Sequence, residues 1–413
     1  MKSIIVLYLF ALLLILSCIN QKTANNTSTI NITGKIKYCI DIERNIRNVK
    51  AVPLSDIGGS IDYIVLETTP NNSLRSIDRV AFSDSFIFVN DHTKLLKFDR
   101  HGRFVRQIGS YGRGPSEYSY LNDFFIDQDT KNIYILGAGI ILVFDFHGVF
   151  IRSFKVERNV TSFDLSDTNK LLLYPFNMPV NAINTIERPY SWYLIDMNGT
   201  DILKIPNYYK RTNSPGILIR KSPLYSFGNT FHFMEYGADT LYRLRSFKPE
   251  PYALFRLGEM KLDYDPAITK ISHDDKIFEQ KLSISSIIEN KNNIFFRLNR
   301  GFSDTLLCGV FDKNTLNTYF PAGNVFRNDI DGGMDFWPEY TCNDTLLVDC
   351  IDSYVFLKNF RQISMGENKK QNGSGYDLNL TMKYPEKKKE LIRLAESLKD
   401  TDNPVLILVR LKQ

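Results

Sequence analysis

The stretch GSYGRGPSEY, from Gly109 to Tyr118, surrounds one arginine and one glutamate with three glycines and a proline. Such a composition could form a loop that holds a phosphate. A phosphate-binding loop, however, requires the pattern Gly-x-x-x-x-Gly-Lys-Ser/Thr between a strand and a helix. This stretch has no lysine, and the strand-like YLNDFFID follows it. Its glycines and proline favour a sharp crossing between two strands. We therefore interpret it as a connection in which Arg113 and Glu117 can form an ion pair, and both are candidate binding residues for an anionic or sugar ligand.

A second group of oxygen donors lies in NDIDGGMDFWP, where Asp329, Asp331 and Asp335 surround a glycine turn. These carboxylates are weak candidates for a calcium site, because the stretch falls short of the Asp-x-Asp-x-Asp-Gly loop and lacks its distal glutamate. The alternative is a turn whose aspartate side chains cap backbone amides, with Trp337 packed in the interior.

The sequence patterns of a catalytic nucleophile are missing, since there is no Gly-x-Ser-x-Gly and the five histidines are dispersed. No catalytic residue, metal ion or cofactor is therefore predicted. An enzyme site assembled in a central channel from distant residues would escape this test. The cysteines show no CxxC pair and imply no disulfide framework; Cys342 and Cys350 are the nearest pair, and whether they bond stays open.

The first residues, MKSIIVLYLFALLLILSC, predict export from the cytoplasm. A lysine at position 2 precedes an apolar run from Ile4 to Leu16, which is short for a membrane-spanning helix, and Ser17-Cys18 follows. The ending resembles the lipobox of bacterial lipoproteins, so we predict a signal peptide over residues 1–17 and a lipid anchor on Cys18. The alternative is an ordinary signal peptide with an incidental cysteine. Residues 18–35 are polar and lack apolar periodicity, as in a tether.

The charge balance argues against nucleic acid as a partner. The formal net charge is +5, and removal of residues 1–17 takes away one lysine and leaves +4. Basic residues are scattered rather than gathered in one patch, whereas a nucleic-acid footprint needs a basic stripe.

Internal repetition indicates the fold. The segment FDRHGRFVRQI from Phe98 matches FDFHGVFIRSF from Phe144 without a gap, an offset of 46 residues, and LIDMNGTDILKI places Asp196 51 residues after Asp145. In each copy, Asp-x-x-Gly separates two apolar segments. Aspartate caps a type I turn and glycine accepts the positive φ that returns the chain into an antiparallel strand, so each copy predicts a β-hairpin.

Short antiparallel strands that recur every ~40 to 60 residues are typical of a β-propeller. We predict an all-β fold with six blades as one domain over residues 36–413, and seven blades are the alternative. The last segment, NPVLILVRLKQ, is expected to close the ring by pairing with an N-terminal strand. The helical pattern from Glu386 to Leu398 predicts one C-terminal helix.

The part of the chain from Thr161 to Phe231 is less repetitive and contains YPFNMPVNAINTIERPYSWY. Arg188 and Trp192 are candidate binding residues on a loop that rims one face. The alternative is an irregular connection between blades.

Several segments together resemble the six-bladed β-propeller lipoproteins of Bacteroidetes, which are similar in style to NHL-repeat propellers. The segments are LSDIGGSIDYIVLETT, KFDRHGRFVRQIGSYGRGPSEY, NDFFID, ADTLYRL, NDIDGGMDFWP and DNPVLILVRLK, in this order. The resemblance covers nearly the whole mature chain and implies an exported propeller held by a lipid anchor in the cell envelope, in the periplasm, on the outer membrane or at the surface. It supplies no catalytic residues.

Together these observations predict a binding or scaffolding module whose partner is a glycan, a peptide or an envelope protein, in addition to the membrane that holds the anchor. The alternative is an enzyme with a central-channel site, such as a lyase, a lactonase or a glycan-acting hydrolase.

Overall fold

The described residues form six sheets of four or five mainly antiparallel strands, and one short two-stranded sheet. The computed structural model describes residues 36–156, 160–166, 169–175, 190–206, 222–235, 237–262, 280–301, 306–342, 345–364 and 382–412. Residues 1–35, which include the predicted signal peptide, tether and Cys18, lie outside this part, as does Arg188. The N-terminal segment supplies three strands, β1 (Tyr38–Asp41), β2 (Val49–Lys50) and β3 (Gly58–Val65).

Blade 1 contains β4 (Arg79–Phe82), β5 (Phe86–Asn90), β6 (Leu95–Asp99) and β7 (Phe104–Ile108). The short strands β8 (Ser110–Tyr111) and β9 (Glu117–Tyr118) follow. Blade 2 contains β10 (Asp123–Asp127), β11 (Asn132–Leu136), β12 (Ile140–Asp145) and β13 (Phe150–Lys155). Blade 3 contains β14 (Val160–Ser166), β15 (Lys170–Pro175), β16 (Tyr190–Asp196) and β17 (Asp201–Pro206).

Blade 4 contains β18 (Leu224–Phe227), β19 (Thr230–Phe233), β20 (Thr240–Arg245) and β21 (Lys248–Arg256). Blade 5 contains β22 (Leu282–Glu289), β23 (Asn293–Arg300), β24 (Leu306–Asp312) and β25 (Asn317–Pro321). Blade 6 contains β26 (Tyr340–Cys342), β27 (Leu346–Ile351), β28 (Val405–Leu411) and β3. The helices among the described residues are α1 (Ile42–Asn45), α2 (Ser353–Ser364) and α3 (Lys387–Ser397), with 3-10 turns at Leu54–Asp56, Gly258–Met260 and Ala322–Asn324.

The first strands of the blades form a closed ring. Strand β4 contacts β10, β10 contacts β14, and the series continues through β18, β22 and β26 back to β4. The predicted six-bladed β-propeller is thereby confirmed. Apolar residues alternate onto both faces of each blade, so a blade is stable only between two neighbours. Accordingly, one buried apolar cluster lies between each pair of adjacent blades.

The ring closes as predicted from the sequence. C-terminal β28 pairs antiparallel with N-terminal β3, with Val405 opposite Val65. The sequence did not indicate two further strands. Strand β1 pairs in parallel with the outer strand β21 of blade 4, and β2 does the same with β25 of blade 5.

The Asp-x-x-Gly turns also form as predicted. Asp99 Oδ1 accepts hydrogen bonds from the amides of residues 101 and 103, and Asp196 Oδ1 accepts from those of residues 198 and 200. Gly102 and Gly199 have φ of +85° and +89°. A Cβ at Gly102 would also overlap the carbonyl of Val65, so this glycine allows close packing against blade 6 as well as the turn.

Two long helices lie between β27 and β28. Helix α3 confirms the predicted C-terminal helix, whereas α2 was not predicted. Phe356 of α2 and Leu391 of α3 are buried in the cluster between blades 5 and 6. Within the described residues, no helix has the length and apolar character that a membrane crossing needs.

Candidate binding site

Polar contacts link neighbouring blades around the axis, and we call this set the polar ring. Arg79 Nη1 donates to Asp123 Oδ1 at 2.8 Å, joining blades 1 and 2, and the amide of Phe163 donates to Asp123 Oδ2 at 3.3 Å, joining blades 2 and 3. Ser226 Oγ donates to Asp164 Oδ2 at 2.8 Å, joining blades 3 and 4. The other three contacts are Tyr225 OH to Glu289 Oε2 at 2.6 Å, Arg297 to Glu339, and Tyr340 OH to the carbonyl oxygen of Asp78 at 3.3 Å.

Arg79 is the principal cation on the blade 1 to blade 3 side of the ring. Its side chain is 30% exposed, whereas Asp123 and Asp164 are buried. Burial raises the pKa of Asp164 to about 6, and the positive charge of Arg79 and the hydrogen bond from Ser226 oppose that rise. Burial alone would lower the pKa of Arg79, but the negative charges of Asp123 and Asp164 outweigh it and raise the pKa. The guanidinium therefore stays charged, and Asp164 loses its proton at a higher pH than an exposed aspartate does.

The blade 5 to blade 6 side of the ring repeats this arrangement. Arg297 forms an ion pair with Glu339, and Asp349 lies near both. Burial, together with the negative charge of Glu339, raises the pKa of Asp349 to about 7. Burial also raises the pKa of the Cys308 thiol, to about 11, so this cysteine is a poor nucleophile.

The ring carboxylates already bind arginine, hydroxyl and amide partners. Among the described residues, no group of three or more histidine, cysteine, aspartate or glutamate side chains could hold a metal ion. The four described cysteines, which include Cys342 and Cys350, are free thiols.

The stretch Gly109 to Tyr118 is a rigid connection between blades 1 and 2. Strands β8 and β9 pair in parallel across it, and the hydroxyl of buried Tyr118 donates to the carbonyl of Ile108 and accepts from the amide of Leu95. Burial raises the pKa of Tyr118 to about 12, so the hydroxyl keeps its proton. These contacts tie the connection to blade 1.

The predicted ion pair between Arg113 and Glu117 is wrong for the described structure. Glu117 Oε2 accepts a hydrogen bond from the amide of Gly114 at 2.8 Å and folds under its own loop. Its carboxylate occupies the space that a side chain at Gly112 would need, which explains that glycine. Arg113 is exposed at the tip of the loop.

Aromatic side chains are exposed at the same end of the ring. We call this end the loop face, because the connections between blades lie there. Tyr111 is 71% exposed and Tyr120 is 50% exposed; they lie two residues before and seven residues after Arg113. His92, on the connection from β5 to β6, stacks on Tyr120 with ring centroids 6.1 Å apart, and its Nε2 lies 3.4 Å from Asp78 Oδ1. Neither the tyrosines nor His92 were predicted as site residues.

Trp192 is not a rim residue, which corrects the sequence-based prediction. Its side chain is 2% exposed and lies between blades 3 and 4, with ring centroids 4.5 Å from Tyr174 and 4.9 Å from Phe233. It belongs to the core because both faces of β16 are covered by neighbouring blades, and Trp192 faces blade 4. A binding role for Arg113, Glu117 and Arg188 stays a prediction.

The three candidate calcium ligands do not converge. Asp329 Oδ1 accepts from the amide of Ser55, Asp331 Oδ1 accepts from Asn328 Nδ2 at 2.7 Å, and Asp335 pairs with Arg327. The described side chains therefore form no calcium site there. The stretch instead links the N-terminal segment to the connection between blades 5 and 6. This agrees with the alternative interpretation, in which the aspartate side chains cap backbone amides. Trp337 is buried and stacks on Phe326, with centroids 5.9 Å apart.

The fold and the polar ring define a six-bladed propeller. The chain belongs to the family described as a domain of unknown function (DUF4934), whose model matches residues 37–410. Among solved structures, a candidate exported protein from Bacteroides fragilis is 18% identical and has a TM-score of 0.66, over 91% of this chain and 99% of that one. A member of the DUF4221 family from Bacteroides vulgatus is 10% identical with a TM-score of 0.41, over 63% of this chain and 84% of that one. No curated protein matches the chain significantly. The predicted membership of a Bacteroidetes propeller family is confirmed, while the lipid anchor and the NHL-like character stay predictions.

Proposed function

We propose that the protein is an exported, lipid-anchored propeller that binds a glycan, a peptide or an envelope protein on its loop face. The observation that carries this proposal is the pair of exposed tyrosines, Tyr111 and Tyr120, which share with exposed Arg113 the connection between blades 1 and 2 that Tyr118 holds in place. Tyrosine and arginine are enriched at binding hot spots. A tyrosine on a rigid loop loses little conformational entropy when it binds.

The chemistry of this face fits a polar, uncharged or anionic ligand. The tyrosine rings offer flat apolar surfaces with a hydroxyl at the edge, and Arg113 offers a forked donor that matches carboxylates. His92, stacked on Tyr120, extends the aromatic surface toward the axis, where Arg79 is partly exposed.

The test is a screen of glycan and peptide arrays with the folded protein, followed by variants. We expect Tyr111→Ala, Tyr120→Ala and Arg113→Ala each to weaken binding by about tenfold or more, which is about 1.4 kcal/mol. Tyr354→Ala is the matched control, because Tyr354 is an exposed tyrosine on α2. A ligand whose affinity none of the three variants lowers would place the site elsewhere and refute the proposal.

The proposed anchor is tested separately. The N-terminal sequence supports it, and the similar protein from Bacteroides fragilis is described as a candidate exported protein. We expect the protein to fractionate with membranes and Cys18→Ala to release it. If the variant stays with the membranes, the lipid-anchor part of the proposal fails and the binding part is unaffected.

A further inference from the structure

The outer strands of the blades differ in whether another strand covers them. Strand β1 covers β21 of blade 4 and β2 covers β25 of blade 5, each in parallel. No described strand pairs with the outer edge of β7, β13 or β17, which are the last strands of blades 1, 2 and 3. An uncovered edge presents unpaired amide and carbonyl groups that can pair with another chain.

Each of these three edges carries the same irregularity. In blade 1, Lys97 pairs with Arg106 but Phe98 pairs with Phe104, so Val105 is an extra residue, a β-bulge. The registers of blades 2 and 3 leave Ile151 and Ile202 in the same situation. The three bulge residues lie 46 and 51 residues apart, which are the offsets of the sequence repeat itself.

All three bulge residues are branched aliphatic side chains that face solvent. Val105, Ile151 and Ile202 are 42%, 49% and 42% exposed. Bulges and lysines protect a strand edge from unwanted pairing. An exposed branched aliphatic residue instead favours contact with another chain. Its recurrence at one structural position in three successive blades therefore indicates a surface for contact.

Blade 4 shows how such an edge accepts a strand. Its outer strand also has a bulge, at Tyr252, although farther from the turn than in blades 1 to 3. The amide of Lys37 donates to the carbonyl of Tyr252 at 3.0 Å where the added strand begins. Ile40 of β1 is buried in the cluster between blades 4 and 5, and Asp41 forms an ion pair with Arg256 at 3.2 Å. One aliphatic and one acidic residue thus hold the strand.

We propose that the outer strands of blades 1 to 3 are binding sites for an extended acidic segment of a partner protein. Such a segment would add to the outer strand of a blade as a parallel fifth strand. The exposed bulge residues would contact its aliphatic side chains. Its acidic residues would face the basic side chains Arg152 and Lys155 on β13 and Arg106 on β7, whose Nη1 also donates to the carbonyl of His147, as Asp41 faces Arg256 on blade 4. Main-chain hydrogen bonds supply affinity in such strand addition, and alternate side chains supply specificity. The surface is the outer rim, so this proposal does not depend on the loop face.

The test uses a displayed library of random linear twelve-residue peptides, selected on the folded full-length protein. We expect the selected peptides to alternate branched aliphatic residues with aspartate or glutamate. The triple variant Val105→Lys/Ile151→Lys/Ile202→Lys is expected to weaken their binding by about tenfold or more, and N-methylation of alternate peptide amides to abolish it. Leu316→Lys is the control, because Leu316 is an exposed aliphatic residue in the turn after β24.

Two results would overturn the proposal. The first is that the selected peptides lack acidic residues, or that neither the triple variant nor Ile151→Lys alone lowers their affinity. The other is concentration-dependent self-association that the same variants abolish, since a second copy of the chain would then be the occupant. Because the substituted residues are exposed, thermal unfolding of the variants is expected to match the wild type, and Ile151→Lys alone serves if the triple variant does not fold. Failure here leaves the array result on Tyr111, Tyr120 and Arg113 untouched.

Discussion

Replacing Asp164 with asparagine is expected to stabilise the protein at neutral pH. Asp164 is buried and its pKa is raised from 3.8 to about 6, chiefly by burial. The folded state therefore holds this proton more tightly than the unfolded state does. Stability from this group is full below pH 4 and falls as the pH rises from about 4 to about 6. A difference of about two pH units at 1.36 kcal/mol each corresponds to about 3 kcal/mol.

Asparagine has nearly the same shape and stays neutral. Its Oδ1 can still accept from the amide of Leu165, and its Nδ2, in place of Oδ2, can donate to the Ser226 hydroxyl, which also accepts. The variant is expected to gain on the order of 1 to 3 kcal/mol over the wild type at pH 8 and little at pH 4, with the lost attraction to Arg79 reducing the gain. The assay is urea unfolding at both pH values, with exposed Asp129→Asn as the control. A variant that is destabilised equally at pH 4 and pH 8 would show that the charge of Asp164 is not the cause of the cost.

Two further substitutions test the fold. Gly102→Ala is expected to lower the free energy of unfolding by about 2 kcal/mol or more. Alanine is strained at this positive φ, and its Cβ would overlap the carbonyl oxygen of Val65 in blade 6. Gly228→Ala, which has positive φ and no neighbouring atom within 4 Å, should cost less, and equal losses would refute the overlap argument. Lys313→Met is expected to cost about 3 to 5 kcal/mol by leaving the buried Glu289 carboxylate without its cation. The double variant Lys313→Met/Glu289→Gln should recover part of that loss. If its loss of stability equals the sum of the losses of the two single variants, the two residues are not coupled.

The fold was largely predictable because its signals are local. An aspartate and a glycine three positions later specify a turn wherever they occur, as at Asp99 and Asp145, and repetition of that turn implies the blade. The C-terminal helix and the closing strand β28 were also predictable from periodicity. Helix α2 and strands β1 and β2 were missed, because short segments with mixed patterns take their structure from the surface they pack on.

The candidate site was much less predictable. Trp192 and Tyr111 are both aromatic residues near loops, and only their neighbours in space distinguish the buried indole from the exposed phenol. Arg113 and Glu117 have a spacing that suits an ion pair in a helix, but the turn between them directs the carboxylate onto a backbone amide.

The sequence by itself determined the hairpins and the repeat, since these depend on residues within one turn or one repeat, and it predicted six blades and a closing strand at the C-terminus. Only the tertiary structure brought Arg79 to Asp123 and Asp164 to Ser226, because contacts around the axis join residues more than forty positions apart that share no pattern. It also decided which outer edges no described strand covers. The repeat places a branched aliphatic residue at Val105, Ile151 and Ile202, but its exposure follows from bulges and from the path of the N-terminal strands over blades 4 and 5.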